Sequence, residues 1–424
     1  MTRRSQARAR ALAVGAVLGI GSVLALGASA GGVTDLTDGG LWYYTSTHMD
    51  EVHQRTTGEG ITIAVLDTPI NPDLATLQGA ALQTEPDITC PDGTVVASTT
   101  TEDIAKHASG MVEIIIGNGA DIGGRPGPRG IAPDATVLHF AVNNGADTVI
   151  CERSPRDAEA IRAAVAEGAD IINMSYSGTF SEDMASAIAE AYRAGVVVVT
   201  AAPNYGTGMN WPALANGVIT VEEADASQNM DDPVVDPLLT VVAPGSDFLS
   251  TGFADGAWDG TTLTYGTSNA TAFTSAALAL VWSAYPDATA NQLIQTLIRN
   301  TGTSDHELGR DNRLGYGFVS VPHMLEHDPA EYPDVNPLLR DGEDVWPPLA
   351  EVTGDAGQGS QPSADATGTA PVDEVSPSPV ALLPFIAAGL AVIGTVVAVI
   401  VASTRKNRRQ QANGPPPNQH HQGM

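Results

Sequence analysis

Basic residues are scarce through the body of this chain. Its 424 residues carry 20 Lys and Arg against 49 Asp and Glu, and eight of those bases sit at the ends: Arg3, Arg4, Arg8, Arg10, Arg405, Lys406, Arg408 and Arg409. Every acid falls between Asp35 and Glu374, so that stretch sets 12 bases against 49 acids, a net of about −37. Such a surface argues against nucleic acid as a partner and against docking on anionic lipid. Cysteine is as sparse, with Cys90 and Cys151 alone, and no metal-ligand spacing surrounds either. A compact acidic ligand loop is missing too, so the acidity is read as solvation rather than calcium binding. No metal site and no cofactor are expected. No internal repeat is evident.

The two ends do have long apolar runs. Bases at 3–10, an almost wholly apolar run at 11–26 and Ala28-Ser29-Ala30 form the three regions of a secretory signal peptide, with cleavage expected after Ala30. Residues 380–402 carry no charge and are long enough to cross a bilayer. The basic flank Arg405-Lys406-Asn407-Arg408-Arg409 should stay in the cytoplasm. The expected plan is a signal peptide (1–30), an N-terminal arm (31–59), a folded α/β domain (60–325), a Pro/Ser/acid-rich linker (326–379), a C-terminal transmembrane helix (380–402) and a cytoplasmic tail (403–424). That makes a single-pass cell-membrane protein with its domain outside. An exported domain is oxidised, which favours an intramolecular disulfide between Cys90 and Cys151 over two free thiols. Closing a loop of ~60 residues contributes on the order of 4 kcal/mol by chain entropy. The arm is too short to bury a core unaided. Its Leu41-Trp42-Tyr43-Tyr44 cluster is read as an anchor on the main domain, or equally as a partner contact, and a helix-like run follows at 48–55. The linker from 328 onward is expected to be flexible.

Between the ends, strand and helix alternate. Residues 61–66 are a near-continuous β-branched run closed by Asp67, the mark of a parallel strand buried on both faces. The pattern returns at 137–142, 170–175, 196–201, 218–221 and 239–242, with helical segments at 108–116, 157–167, 181–193 and 291–299. A largely parallel sheet between helices follows, with ligands beyond the carboxyl ends of the strands. Asp67 sits at such an end, and alone it would be a turn former. Its company changes that. His107 begins an apolar helix, Asn204 follows the strand at 196–201, and Ser268 opens a wide-faced apolar helix at a turn containing Gly266. A serine there meets outward amide N–H groups and a favourable helix dipole. Asp, His and Ser in that chain order distinguish one triad class from the two other common ones.

On these residues the stretch 60–321 resembles the subtilisin-like serine proteases. Ala64-Val65-Leu66-Asp67-Thr68 is similar to the family's aspartate strand, Gly130-Ile131-Ala132-Pro133-Asp134-Ala135 to the turn after its histidine helix, and Ile172-Asn173-Met174-Ser175 to a wall of its cleft. Ala201-Ala202-Pro203-Asn204 resembles the oxyanion strand end, Gly266-Thr267-Ser268 the nucleophile turn, and Val242-Ala243-Pro244-Gly245 and Gly315-Tyr316-Gly317 further landmarks. The layout of signal, arm, linker and single span is similar to the mycosins, membrane-anchored subtilases of actinobacterial type VII secretion systems.

The resemblance implies a three-layer subtilisin-like fold, a polypeptide substrate and a possible secretion complex as partner. It assigns Asp67, His107 and Ser268 as the triad, Asn204 as oxyanion donor, and Ser175, Tyr176, Ser177, Ala202 and Pro203 as substrate-binding. The chain departs from the family at Pro69, Ala108, Pro203 and Ser177, where glycine is usual, and at Glu113, where a small residue is. Ser177 and Pro203 fall on the two walls that line the first pocket in subtilisins, so their loss of glycine implies a narrower pocket accepting small residues. The losses around the site otherwise imply an impaired enzyme kept as a scaffold. The active serine endopeptidase is the expected outcome, because every reacting group is present.

Overall fold

The computed structural model describes residues 39–354, apart from 91, 143–155 and 207. The expected signal peptide, transmembrane helix and cytoplasmic tail, and Cys151, lie outside those residues. Among the described residues no helix is long and apolar enough to cross a membrane.

In chain order the arm holds α1 (Trp42–Thr45) and α2 (Met49–Val52), and β1 (Thr62–Asp67) starts the sheet. Then come β2 (Leu82–Thr84), β3 (Ile88–Thr89), β4 (Val95–Val96), α3 (Lys106–Ile116), β5 (Thr136–Ala141), α4 (Asp157–Ala166), β6 (Ile171–Met174), α5 (Glu182–Arg193), β7 (Val197–Ala201), β8 (Ile219–Ala224) and β9 (Val241–Pro244). An antiparallel hairpin of β10 (Phe248–Ala254) and β11 (Ala257–Thr264) leads into α6 (Thr267–Ala284). Last are α7 (Ala290–Arg299), α8 (Val321–Glu326) and α9 (Leu349–Thr353). Every expected strand and helix of the domain is present, its ends displaced by three residues at most.

The main sheet has seven strands in the order β2-β5-β1-β6-β7-β8-β9, and each pairing is parallel. The chain leaves β1 on one side for β2 and β5, then crosses to the other for β6 through β9. Strand order therefore reverses between β1 and β6, which opens a crevice beyond their carboxyl ends. Asp67 ends β1 there, and Ser175 follows β6.

Alternation along each strand feeds two cores. Ile63 and Val65 of β1 join Ile171 and Val199 in a cluster with α3 and α6, while Ala64 and Leu66 join Ile172 and Val198 in one with α4 and α5. A period of two with both faces covered is why these strands read as unbroken apolar runs. Helix α6 is buried nearly all round: Ala272, Phe273, Ala276, Ala277, Leu280 and Val281 are fully inaccessible, and so are Thr274 and Ser275. A helix without a polar face belongs in a core, and its first turn is thereby fixed against the crevice.

The arm lies on this domain. The Tyr43 ring stacks on Phe248 with centroids 4.0 Å apart, the Trp42 Nε1 donates to the Ser246 carbonyl at 2.8 Å, and Arg129 covers the Tyr44 ring at 3.8 Å. Cys90 is buried and disulfide-bonded.

One expectation is corrected. Residues 328–354, read as the start of a flexible linker, are strapped to the domain. Asn336 Nδ2 donates to the Gly217 carbonyl at 2.9 Å, the Arg340 guanidinium to the Leu214 carbonyl at 2.7 Å, and Asn216 Nδ2 to the Arg340 and Pro347 carbonyls. Val352 in α9 is fully buried. Three or four such anchors, widely spaced among Pro and acidic residues, hold the segment without raising its average hydropathy, so composition hides them.

Candidate active site

Asp67 is fully buried at the end of β1. Its Oδ1 accepts the Thr68 N–H at 2.6 Å and the Thr68 hydroxyl at 3.2 Å, and His107 Nδ1 lies 2.7 Å from Oδ1 and 2.9 Å from Oδ2. His107 is the second residue of α3 and is 38% exposed at its side chain. Facing a carboxylate, Nδ1 carries the proton, which leaves Nε2 as the base. Burial lowers the His107 pKa, but the charge of Asp67 and its hydrogen bond outweigh that and hold it above the ordinary value.

Thr68 is a hub that the sequence did not single out. Its hydroxyl also accepts the Ala108 N–H at 3.3 Å, joining the aspartate strand to the histidine helix. Behind it, His139 of β5 donates its Nε2–H to the Thr68 carbonyl at 2.8 Å. Burial pushes the His139 pKa down to about 4, so it is neutral, and its Nδ1 has no hydrogen-bond partner among the described residues. Nothing in the apolar run of β5 marked this histidine beyond its being polar.

Ser268 is the second residue of α6, in the first turn where backbone N–H groups have no intrahelical acceptor. Its Oγ donates to the Ser175 carbonyl at 2.8 Å, and the Ser175 Oγ donates back to the Ser268 carbonyl at 3.0 Å. No hydrogen bond joins Ser268 to His107 among the described residues. Attack by this serine requires its hydroxyl to leave the Ser175 carbonyl for His107 Nε2.

Asn204 follows β7 and is exposed. Its Oδ1 accepts the Thr267 N–H at 2.8 Å and the Thr267 hydroxyl at 3.0 Å. A backbone N–H can only donate, so the oxygen end of the carboxamide must face α6 and the Nδ2 end is the one presented elsewhere. Gly266 makes this possible. Its φ is +136°, which favours glycine, and a Cβ there would crowd Asn204 Oδ1 at 3.0 Å.

The other expected site residues divide. Ser175 is buried against Ser268, and the Ala202 carbonyl accepts the Thr267 hydroxyl at 2.6 Å. Pro203 is buried and Ser177 half-buried. The Tyr176 side chain lies in the core beside α4 and donates its hydroxyl to Asp157, so only its backbone faces the crevice. Glu113 of α3 is fully buried in a cradle of donors: the hydroxyls of Thr76 (2.6 Å), Ser250 (2.9 Å) and Thr251, and the Thr251 N–H (3.0 Å). Burial raises its pKa despite them.

A buried carboxylate, a histidine oriented by it and a serine in a helix's first turn are the parts of an acyl-transfer site, and residues 58–317 match the subtilase family, peptidase S8. The chain belongs to the subtilase family. This subtilase is 30% identical over 287 residues to the thermostable alkaline protease of Halalkalibacterium halodurans, covering 66% of its own length and 71% of that protein's. Among solved structures it is similar to MycP1 from the ESX-1 type VII secretion system, with TM-score 0.55 and 23% identity over 70% of this chain and 88% of that one. It is also similar to fervidolysin from Fervidobacterium pennivorans, a keratinolytic enzyme related to subtilisin, with TM-score 0.54 and 22% identity over 69% and 45% of the two chains. At those identities the two structures establish a shared fold. By family the subtilase is a serine endopeptidase, a hydrolase of polypeptides.

Proposed function

We propose that this subtilase is an active serine endopeptidase carried outside the cell on a single C-terminal span. Ser268 attacks the scissile carbonyl. His107 Nε2 takes its proton and returns it to the leaving amine, and Asp67 holds the imidazole and stabilises its cation. The Asn204 Nδ2 and the Ser268 N–H receive the oxyanion. The observation that carries this reading is the fixed orientation of Asn204 by Thr267: its Nδ2 points away from α6, has no hydrogen-bond partner among the described residues, and suits a charge that appears only during reaction. The likeness to MycP1, with the charge-flanked apolar run at 380–402, supports a mycosin-like role at a type VII secretion complex. The Cys90–Cys151 bridge belongs to the same reading.

A second reading has an observation of its own. The Ser268 hydroxyl is bonded to the Ser175 carbonyl rather than to His107, the resting arrangement that an impaired enzyme kept as a scaffold would also show. A fluorophosphonate probe separates the two. The wild-type protein should be labelled and Ser268→Ala should not, with cleavage of a cognate polypeptide falling ~10⁶-fold in the variant and its fold unchanged. Equal inertness of wild type and variant would establish the scaffold.

A further inference from the structure

Away from the crevice, three side chains gather that neither the triad nor the strap uses. Asp305 lies in the loop after α7, His323 in α8, and His327 immediately past the end of α8. His323 Nε2 is 3.1 Å and His327 Nε2 3.2 Å from the same atom, Asp305 Oδ1, and one ligand atom from each residue lies within 4.8 Å of the other two. Two imidazoles four residues apart lie on one side of a helical turn, which differs from the expectation that the chain has no metal site.

We propose that Asp305, His323 and His327 form a binding site for zinc or a similar borderline first-row divalent cation. The distances fit. With metal–ligand bonds of about 2.0–2.2 Å, two ligand atoms of a tetrahedron stand about 3.4 Å apart, a few tenths of an ångström from the 3.1 and 3.2 Å found here.

The proton count fits too. His323 is 4% exposed, and both of its ring nitrogens face acceptors: Nε2 the Asp305 carboxylate, and Nδ1 the Thr301 carbonyl at 3.2 Å. A neutral imidazole has one proton to give. A cation bound between Nε2 and the carboxylate removes the need for a second, and leaves Nδ1–H donating to a backbone carbonyl, the arrangement usual for a metal-bound histidine. Two nitrogen ligands and one carboxylate select zinc and its neighbours over calcium or magnesium, which take oxygen. The ion would tie the loop carrying Thr301 and Asp305 to α8, just where the chain enters the strap at 328. Because Asp305 is 84% exposed, the fourth position is open to water, and His323 and Glu326 also line a cleft of about 370 Å³.

Equilibrium dialysis of the full-length protein in detergent against Zn²⁺, with Co²⁺ substitution followed by its visible absorption, tests the site. Wild type and His107→Ala should each bind one equivalent and give the intense bands of tetrahedral Co²⁺. Asp305→Asn and His327→Ala, both changes at accessible side chains, should weaken binding at least ~10-fold and lose the bands. Absence of binding at ~100 μM Zn²⁺ would overturn the proposal, since structural sites bind far more tightly. Binding lost in His107→Ala but kept in His327→Ala would place the ion in the catalytic centre instead. Lower stability of both ligand variants with no effect of zinc on wild-type stability would show a plain His–Asp ion pair.

Discussion

Glu113 joins the histidine helix to the hairpin that delivers the nucleophile, because its partners Ser250 and Thr251 lie on β10 and the paired strand β11 ends at Thr264, four residues before Ser268. Replacing it with alanine strands its donors. The hydroxyls of Thr76 and Thr251 are 3.4 Å apart and can pair with each other, but the Thr251 N–H is fixed in direction and Ser250 is walled in. Two buried donors without acceptors at about 1–3 kcal/mol each, plus the emptied volume, give a loss of about 3–5 kcal/mol. For a domain of this size that lowers Tm by about 10 °C. Glutamine keeps the volume and an acceptor for the Thr251 N–H while the hydroxyls turn to accept from its amide, so Glu113→Gln should cost about 1 kcal/mol. The sign of its pH dependence is fixed as well. A carboxyl whose folded pKa is raised contributes stability that is complete below its unfolded pKa and is lost as pH rises through the folded value. The gap between wild type and Glu113→Gln should therefore narrow from pH 5 to pH 8. Calorimetry of the three proteins at both values checks this. An alanine variant as stable as wild type, or a gap that widens with pH, would refute the cradle as a stabilising element.

Asn204→Ala should lower kcat by about 10²–10³ with KM nearly unchanged, because the lost donor acts on the transition state. A kcat within threefold of wild type would remove Asn204 from the oxyanion site. Glu222 offers a pH test away from catalysis. Burial pushes its pKa up to about 7, against hydrogen bonds from the Glu223 and Val234 N–H groups. Its contribution is complete below about pH 4.5 and lost as pH rises to about 7, a fall of about 3 kcal/mol across that window. Glu222→Gln should flatten that part of the stability profile, and urea melts of the variant with an unchanged slope would refute the assignment.

The parts of this fold that were legible in sequence are those whose signal is local and periodic. Buried parallel strands announce themselves as β-branched runs, and α6 as an apolar stretch behind Gly266-Thr267-Ser268. Other parts depend on partners far along the chain. Glu113 meets Thr251 across 138 residues and Thr68 meets His139 across 71, and no window of sequence contains both ends of such a contact. The hairpin of β10 and β11 did leave a mark, the Asp255-Gly256 pair, whose φ values of +51° and +81° are those of a tight hairpin turn. Its strands place Phe248 and Leu249 side by side and are interrupted by Gly252 and Gly260, so alternation was weak. The candidate triad stood out in the sequence for a different reason. Chain order is a one-dimensional property, and Asp67, His107 and Ser268 keep theirs.

Three of the departures from the family pattern, Ala108, Pro203 and Glu113, have a clear local setting. Ala108 is fully buried, its methyl packed in the core with α3 and α6, and its N–H is still donated to Thr68. Alanine in that first turn also favours the helix over glycine by about 1 kcal/mol. Pro203 comes just after the Ala202 N–H has given its hydrogen bond to the Val221 carbonyl, so proline deletes no bond of the sheet. Glu113 is satisfied by four donors contributed by three residues. Each of these three departures is thus absorbed by its local surroundings. The glycine that the geometry favours is Gly266, with its positive φ and the Asn204 oxygen 3.0 Å from where a Cβ would be. A scaffold has no use for a turn that favours glycine and whose effect is to aim one carboxamide. An enzyme that must hold a donor ready for an oxyanion does, and that asymmetry favours catalysis over scaffolding.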